Sequence, residues 1–307
     1  TDAPSGFDER RGSVDIGELL AQAADVTMLA AIPEINITDD AYTGWILTEG
    51  GTAVSCEKES RSQRESRDGP DQSKRLLTNE SPFAIKEAYV KLRTSLLFCM
   101  TADKERPCST FAVTSAKPSE GKSLTAANIA ISYAMLGKRV LLVDADMRKA
   151  GQRSLWSVRS SAGLCDFLAK ISRLELAKVT DLPLWIVCTG TIPPNPSELL
   201  SSERMRRFAA DSAETYDYVI IDTPPINMVA DAQIISTYVD GVVLVTRSGV
   251  TTTDELNDAK DAVLRAGGNL CGVVLNDMNM KSGKYAHKHK YKYGGEYGYK
   301  YSYSDPY

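Results

Sequence analysis

The sequence predicts an α/β protein with a mostly parallel central sheet and helices on both faces of that sheet. Two observations support this prediction. From residue 109 onward, short β-prone runs alternate with longer segments of helical spacing. Several runs, such as 140–143 and 241–245, are continuously apolar, which is typical of strands covered on both faces. Because such sheets bind ligands at the carboxyl ends of their strands, function is expected at that edge.

The elements are predicted in the following order along the chain. A helix begins after Ser81-Pro82, an N-cap followed by a proline, and continues to Cys99. Residues 16–32 also have helical spacing. The predicted strands are 109–115, 139–143, 184–188, 217–222, 240–246 and 271–276. The predicted helices of the repeating part are 122–137, 163–170, 197–213, 230–238 and 252–267.

Composition divides the chain into three parts. Residues 1–80 include a mixed-charge, Gly- and Ser-rich run at 49–75, which we predict to be a flexible linker. Residues 81–280 are predicted to form the α/β domain. Residues 281–307 hold eight of the fourteen tyrosines among Lys, Gly and Ser, which predicts a disordered tail.

Charge and cysteine content disfavour several classes of protein. A net charge of −4 gives no support for a nucleic-acid partner. The tail carries six lysines against Glu296 and Asp305, a local +4 that leaves −8 for the remainder. None of the six cysteines forms a Cys-x-x-Cys pair, which favours reduced thiols over a metal site or an iron–sulfur carrier. No apolar run reaches the roughly 18–20 residues that span a bilayer.

A phosphate-binding loop is predicted between the strand at 109–115 and the helix that follows. It reads Ala116-Lys117-Pro118-Ser119-Glu120-Gly121-Lys122-Ser123, with Ala116 at the position where the usual pattern has glycine. The unpaired N–H groups of such a loop and of the first helical turn point at one spot. A polyphosphate fits there, with Lys122 neutralising its β/γ charge and Ser123 ligating Mg²⁺.

Acidic residues follow two of the apolar strands. Asp144 and Asp146 lie two residues apart, so in extended geometry they share a face. Asp222 ends the apolar run at 218–222, which has the form of the second nucleotide-triphosphatase motif, whose acid holds Mg²⁺. Three acids at strand ends beside a phosphate loop therefore predict a site for a magnesium-bound nucleoside triphosphate.

These motifs resemble those of the bacterial tyrosine kinases (BY-kinases), the cytoplasmic component of capsule and exopolysaccharide assembly systems. The resemblance covers residues 76–307 and also rests on the run 190–196, Gly-Thr-Ile-Pro-Pro-Asn-Pro, and on the tyrosine-rich tail. Residues 28–34 resemble the segment just inside the membrane in members fused to their membrane activator. The implied fold is that of the cell-division and plasmid-partition ATPases, P-loop proteins of the deviant Walker A type.

The resemblance implies a role for each matching residue at the strand ends. Lys122 is expected to hold the β- and γ-phosphates. Asp144 is expected to ligate Mg²⁺ and to take the proton from the attacking tyrosine hydroxyl, with Asp146 in support. Ser123 and Asp222 complete the implied metal shell.

The implied nucleotide contacts extend beyond the acids. Arg148 is predicted either to steady the transferring phosphate or to be a solvated surface residue, and these two alternatives stay open. Asn276 occupies the place where related ATPases read adenine. The implied nucleotide-binding residues are Lys117, Pro118, Ser119, Glu120, Gly121, Lys122, Ser123, Leu124 and Asn276.

The sequence departs from the family pattern at three positions. Ser119 stands where the family has glycine, and Leu124 replaces a second hydroxyl residue. Glu87 and Arg93 match the family's subunit-contact motif, but its middle arginine is Val90 here. Assembly of a ring is therefore less strongly predicted than the chemistry.

The implied activity is ATP- and Mg²⁺-dependent autophosphorylation that regulates polysaccharide synthesis and export. The implied partners are further copies of the chain, phosphorylating one another in a homo-oligomer such as a ring, a membrane-embedded polysaccharide co-polymerase or activator, and a tyrosine phosphatase. The implied location is cytoplasmic, at the inner face of the plasma membrane. The implied acceptors are Tyr285, Tyr291, Tyr293, Tyr297, Tyr299, Tyr301, Tyr303 and Tyr307.

Two other functions compete with this hypothesis. A partition-type ATPase would dimerise with ATP and transfer no phosphate to protein, and Lys117 lies where such ATPases carry a lysine that reaches across the dimer. The tyrosine-rich tail argues against that function. A scaffold without catalysis is suggested by Ser119 and Val90, whereas the intact lysine and acids of the site argue against it.

Overall fold

A computed structural model describes residues 26–34, 47–48, 75–99, 109–158, 160 and 162–278. The strands are β1 (Met28–Pro33), β2 (Leu47–Thr48), β3 (Ser109–Ser115), β4 (Val140–Asp144), β5 (Ala177–Val179), β6 (Leu184–Val187), β7 (Tyr218–Asp222), β8 (Gly241–Arg247) and β9 (Leu270–Met278). The helices are α1 (Phe83–Cys99), α2 (Lys122–Ala134), α3 (Gln152–Leu155), α4 (Leu164–Leu168), α5 (Pro196–Ser201), α6 (Glu203–Thr215), α7 (Asp231–Ser236) and α8 (Thr253–Arg265).

The strands form one nine-stranded sheet in the order β1-β9-β8-β3-β7-β4-β6-β5-β2. Strand β5 runs antiparallel to β6, and β2 runs antiparallel to β5. The pairings among the other strands are parallel, with β3 between β7 and β8 near the centre. The predicted α/β fold with a mostly parallel sheet is confirmed.

Side chains of alternate strand residues pack into hydrophobic clusters on the two faces of the sheet. Val140 and Leu142 belong to the cluster covered by α1, α2 and α3, whereas Leu141 and Val143 belong to the cluster covered by α4, α6, α7 and α8. All four side chains are at most 1% exposed. The continuously apolar sequence of β4 thus follows from its burial on both faces.

The structure corrects the prediction for residues 16–32. Residues 28–33 form strand β1, which runs parallel to β9 with Met28 opposite Val273 and Ala31 opposite Leu275; residues 16–25 lie outside the described part. The physical reason is that β9 offers a row of backbone donors and acceptors at the edge of the sheet, and a short apolar run satisfies them as a strand. Residues assigned to the segment before the domain are therefore part of its sheet.

The helix predicted at 197–213 is two helices, α5 and α6. Ser202 separates them, because its side chain accepts a hydrogen bond from the backbone N–H of Met205 at 3.2 Å and so caps α6. The other predicted helices and strands lie within a few residues of their predicted bounds.

The described cysteines agree with the expectation of reduced thiols, since Cys99, Cys165, Cys188 and Cys271 are all free. Within the described ranges, no helix combines the length and the apolar composition needed to cross a membrane. The tail at 281–307 and nearly all of the predicted linker lie outside these ranges, so their predicted disorder stays a prediction.

Candidate active site

The phosphate-binding loop connects the central strand β3 to α2. Gly121 precedes the helix with φ of 93°, and no side chain caps the N-terminus of α2. The first N–H groups of this helix are therefore open to an anion, which is the arrangement that binds phosphate. Ser119 also has a positive φ, of 67°, so the departure from glycine falls at a position where the backbone favours glycine.

Three hydrogen bonds to Glu120 hold the loop in shape. The carboxylate of Glu120 accepts hydrogen bonds from the backbone N–H of Lys117, at 2.8 Å, and from the hydroxyl of Thr251. The side-chain amide of Asn276 donates to the carbonyl of Glu120 at 3.0 Å. A Cβ on Gly121 would lie 2.0 Å from that amide nitrogen and would displace the Asn276 side chain, and the φ of 93° also favours glycine. Glu120 therefore stabilises the conformation of the loop through these hydrogen bonds.

Lys122 points its amine at the acids of neighbouring strands. The amine lies 2.7 Å from Asp146 Oδ2 and 3.3 Å from Asp222 Oδ1. It also lies 3.1 Å from the hydroxyl of Ser123. Burial by itself lowers the pKa of Lys122, but the charges of Asp222 and Asp146 outweigh it and leave the pKa above its ordinary value.

The acids occupy the carboxyl ends of adjacent strands. Asp144 and Asp222 are register partners across β4 and β7, and both are 0% exposed. Asp144 accepts hydrogen bonds from the backbone N–H groups of Asp146, at 3.3 Å, and Gln152, at 3.0 Å. Burial, together with the nearby charge of Asp222, raises the pKa of Asp144 well above its ordinary value.

These residues fit a magnesium ion. Mg²⁺ prefers oxygen ligands and usually binds one or two carboxylates together with phosphate oxygens and water. Asp144, Asp222 and the hydroxyl of Ser123 supply such a donor set beside a phosphate-binding helix end. Among the described residues there is no group of three His, Cys, Asp or Glu side chains in metal-binding geometry, and a magnesium site that shares its ligands with substrate phosphates does not require one.

A cavity of about 230 Å³ opens beside the loop. It contains four positions expected to touch the nucleotide, Ser119, Gly121, Leu124 and Asn276. The lining residues are Pro33, Arg75, Ser119, Gly121, Leu124, Arg247, Asn276 and Asp277. Sequence reasoning missed Pro33 and Arg75, because only the fold brings the segments at 26–34 and 75–78 to this loop.

Three predicted residues make contacts within the chain that differ from their expected roles. The amine of Lys117 lies 2.9 Å from Glu255 Oε1, on the first turn of α8. Arg148 is an exposed residue whose side chain is 43% accessible, and its guanidinium contacts both carboxylate oxygens of buried Asp231, at 2.9 and 3.2 Å. Arg93 donates to the carbonyl of Ser132 at 2.7 Å, and so ties α1 to α2.

The remaining predicted residues are placed as follows. Pro118 is exposed on the loop, and Glu87 is half-buried on α1. The eight predicted acceptor tyrosines lie outside the described residues. Sequence reasoning missed Gln152, which is 0% exposed and contacts Ser123, Asp144 and Asp222. Glutamine is not ionisable and Gln152 belongs to none of the motifs in this sequence, so only the folded structure shows its contacts with the site.

The fold and the site together define a P-loop protein that binds a nucleoside triphosphate at the carboxyl edge of a parallel sheet. The family model described as "AAA domain" matches residues 108–254. The tyrosine-protein kinase YwqD of Bacillus subtilis is 42% identical over 205 residues, covering 66% of this chain and 83% of the relative. The chain belongs to the family of bacterial tyrosine-protein kinases.

Solved structures agree with this assignment. The kinase domain of Escherichia coli tyrosine kinase ETK superposes with a TM-score of 0.71 at 26% identity, covering 95% of this chain and 98% of that one. The chimerical protein CapA2B2 superposes with a TM-score of 0.68 at 28% identity, covering 85% of this chain and 99% of that one. The resemblance to BY-kinases is thus confirmed at the level of family and fold.

Proposed function

We propose that the chain is an ATP-dependent tyrosine kinase that phosphorylates its own C-terminal tyrosine cluster and thereby regulates polysaccharide synthesis and export. The observation that carries the proposal is the convergence of Lys122 on the carboxylates of Asp146 and Asp222, at 2.7 and 3.3 Å. This convergence puts the phosphate-binding loop and the strand-end acids into one site. Membership of the tyrosine-protein kinase family supports the same activity.

The loop and α2 bind the triphosphate. The uncapped N–H groups at the start of α2 donate to phosphate oxygens, and the helix dipole favours their negative charge. The amine of Lys122 then exchanges part of its contact with the acids for the β- and γ-phosphates. Because the amine is buried, its charge acts on the phosphates with little screening by solvent.

The strand-end acids serve the metal and the acceptor. Ser123, Asp144 and Asp222 would hold Mg²⁺, which when bound stabilises the charge on the transferring phosphoryl group. Asp144 takes the proton of the acceptor phenol, whose ordinary pKa is about 10 and which needs a positioned acceptor at neutral pH. Asp146 supports Asp144 by donating its backbone N–H at 3.3 Å.

The rest of the chain is assigned by the same proposal. Asn276 lies at the cavity beside the loop, where it reads the nucleoside base. The acceptors belong to the tail at 281–307 of a neighbouring copy, with Glu87 and Arg93 at the contact between subunits. The segment before β1 links the domain to a membrane-embedded activator at the inner face of the plasma membrane, and a tyrosine phosphatase reverses the modification.

The test is to incubate the full chain with Mg-ATP and to map phosphotyrosine by mass spectrometry, beside Lys122→Met. Tail phosphate that is present in the wild type and lost in Lys122→Met is the expected result. Lys138→Met is the matched control, because Lys138 is exposed and lies outside the site. ATP hydrolysis with unmodified tyrosines would instead support a partition-type ATPase, and absence of both activities would support a scaffold.

A further inference from the structure

Gln152 begins the short helix α3 directly behind the acids. Its backbone N–H donates to Asp144 Oδ2 at 3.0 Å. The preceding residue, Gly151, allows this approach, since a Cβ there would lie 2.8 Å from the hydroxyl oxygen of Ser123 and 3.1 Å from its Cβ. The chain at 151–152 is therefore packed tightly against the start of α2.

Both polar atoms of the Gln152 side-chain amide make hydrogen bonds to neighbouring residues. Nε2 donates to the carbonyl of Ser123 and to Asp222 Oδ2, both at 2.9 Å. Oε1 accepts from the indole N–H of Trp156 at 3.0 Å. The Ser123 carbonyl and the Asp222 carboxylate can only accept, so the amide NH₂ must face them, and the Trp156 indole N–H can only donate, so the amide oxygen must face it. Only one orientation of the Gln152 amide therefore satisfies all its neighbours.

Through these contacts one residue fixes the predicted metal-binding groups together. Asp222 has Oδ2 held by Gln152 and Oδ1 held by Lys122. The Gln152 side chain donates to the carbonyl of Ser123 and so holds the turn that carries the Ser123 hydroxyl. The Gln152 backbone N–H donates to Asp144 Oδ2. Partners of this kind orient metal ligands, and their loss typically costs about 10–100-fold in metal affinity or activity.

The Gln152 side chain is also uncharged, so it leaves the net charge of the site unchanged. The cluster contains three carboxylates, on Asp144, Asp146 and Asp222, and one ammonium, on Lys122. A cationic residue at position 152 would neutralise an acid and oppose a divalent cation, whereas an amide orients the acids and leaves their charge in place.

We infer that Gln152 is a positioning residue of the kinase site, which holds Ser123, Asp144 and Asp222 in the arrangement that binds magnesium with the nucleotide. This inference rests on the proposed function. It assigns Gln152 no contact with substrate and no proton transfer. Its effect is therefore expected on the magnesium dependence of nucleotide binding and on kcat, rather than on binding of the nucleotide alone.

The test compares wild type with Gln152→Met, which keeps the length of the side chain, removes its side-chain hydrogen bonds to Ser123, Asp222 and Trp156, and keeps the backbone bond to Asp144. Binding of ADP is measured by titration with and without Mg²⁺. The expected result is a rise of about 10-fold or more in the Mg²⁺ concentration for half-maximal binding, with metal-free ADP affinity changed less than about threefold. Gln233→Met, a half-buried glutamine on α7, is the matched control and is expected to match the wild type.

An unchanged magnesium requirement in folded Gln152→Met overturns the inference. A lower melting temperature in that same case would show that Gln152 only stabilises the fold. If Gln152→Met does not fold, Trp156→Phe replaces it, because loss of the indole donor frees the amide and is expected to shift the magnesium requirement in the same direction. The binding assay needs no phosphotransfer, so it gives its answer even if the wild type forms no phosphotyrosine.

Discussion

At the scale of single residues, Ser119 is held in a backbone conformation that suits glycine. Its φ of 67° lies in the left-handed region, where a Cβ approaches the carbonyl oxygen and costs about 1–2 kcal/mol. The side chain is exposed and lies beside the cavity of the loop. The loop therefore stores strain at Ser119.

Ser119→Gly is predicted to stabilise the protein. Relief of the strain is partly offset by the greater entropy of glycine in the unfolded chain, about 0.5–1 kcal/mol, so a net gain of about 0.5–1 kcal/mol is expected. Thermal unfolding measures this as a rise of roughly 1–4 °C. Ser119→Ala keeps the Cβ and is the control. Equal melting temperatures for the alanine and glycine variants would show that the backbone at residue 119 is not strained.

How much of the site could be predicted differs from residue to residue. Lys122, Ser123 and Asp222 could be predicted because a short local motif determines both their chemistry and their place at a strand end. Gln152 could not, because its role arises from contacts with Asp222, seventy positions away along the chain. Neither of the two roles predicted for Arg148 included its ion pair with Asp231. Asp231 lies on α7, and only the packing of that helix brings the two side chains together.

At the scale of elements, β1 is an edge strand whose inner residues are part of the core. Leu29 is 4% exposed and Ile32 is 0% exposed, whereas Met28 is 41% exposed. The backbone N–H of Val273 donates to the carbonyl of Thr27 at 2.9 Å, and a Cβ on Gly272 would lie 2.2 Å from that carbonyl. β1 thus forms one edge of the sheet, next to the cavity that Pro33 lines.

Ile32→Ala is predicted to lower the free energy of unfolding by about 2–4 kcal/mol, because it removes a fully buried side chain and leaves a cavity. Chemical denaturation of the full chain measures this value. Met28→Ala, on the exposed side of the same strand, is the control and is expected to cost less than about 1 kcal/mol. Equal, small effects of both changes would mean that β1 does not pack on the domain in solution.

The sequence could predict most elements but not this one, for a physical reason. Strands β3, β4, β7 and β8 are runs rich in apolar and β-branched residues between turn signals, so the local pattern suffices to predict them. The six residues of β1 fit helical and extended spacing equally, and their partner β9 lies about 240 residues further along the chain. The short antiparallel strand β2 was missed for a related reason, since two residues carry no periodicity.

At the scale of the whole molecule, charge separates the tail from the remainder of the chain. Residues 281–307 carry a formal +4, and the remainder carries −8. Each phosphotyrosine adds about −1.5 to −2 charges at neutral pH. Phosphorylation of all eight tail tyrosines would add roughly −12 to −16, which reverses the sign of the tail. The −8 lies in residues 1–80, because residues 81–280 carry no net formal charge. A tail attracted to residues 1–80 of a neighbouring copy would then be repelled by them.

Phosphorylation is therefore predicted to dissociate the proposed homo-oligomer. Light scattering on the full chain should give a larger mass before incubation with Mg-ATP than after it, while Lys122→Met should keep its larger mass throughout. Because the attraction acts between exposed charges, raising the salt concentration should weaken the unmodified oligomer and shrink the difference. An unchanged mass in a sample whose tail is heavily phosphorylated would rule out this electrostatic switch, and would leave the kinase activity itself untouched, since that is read separately from the phosphotyrosine map.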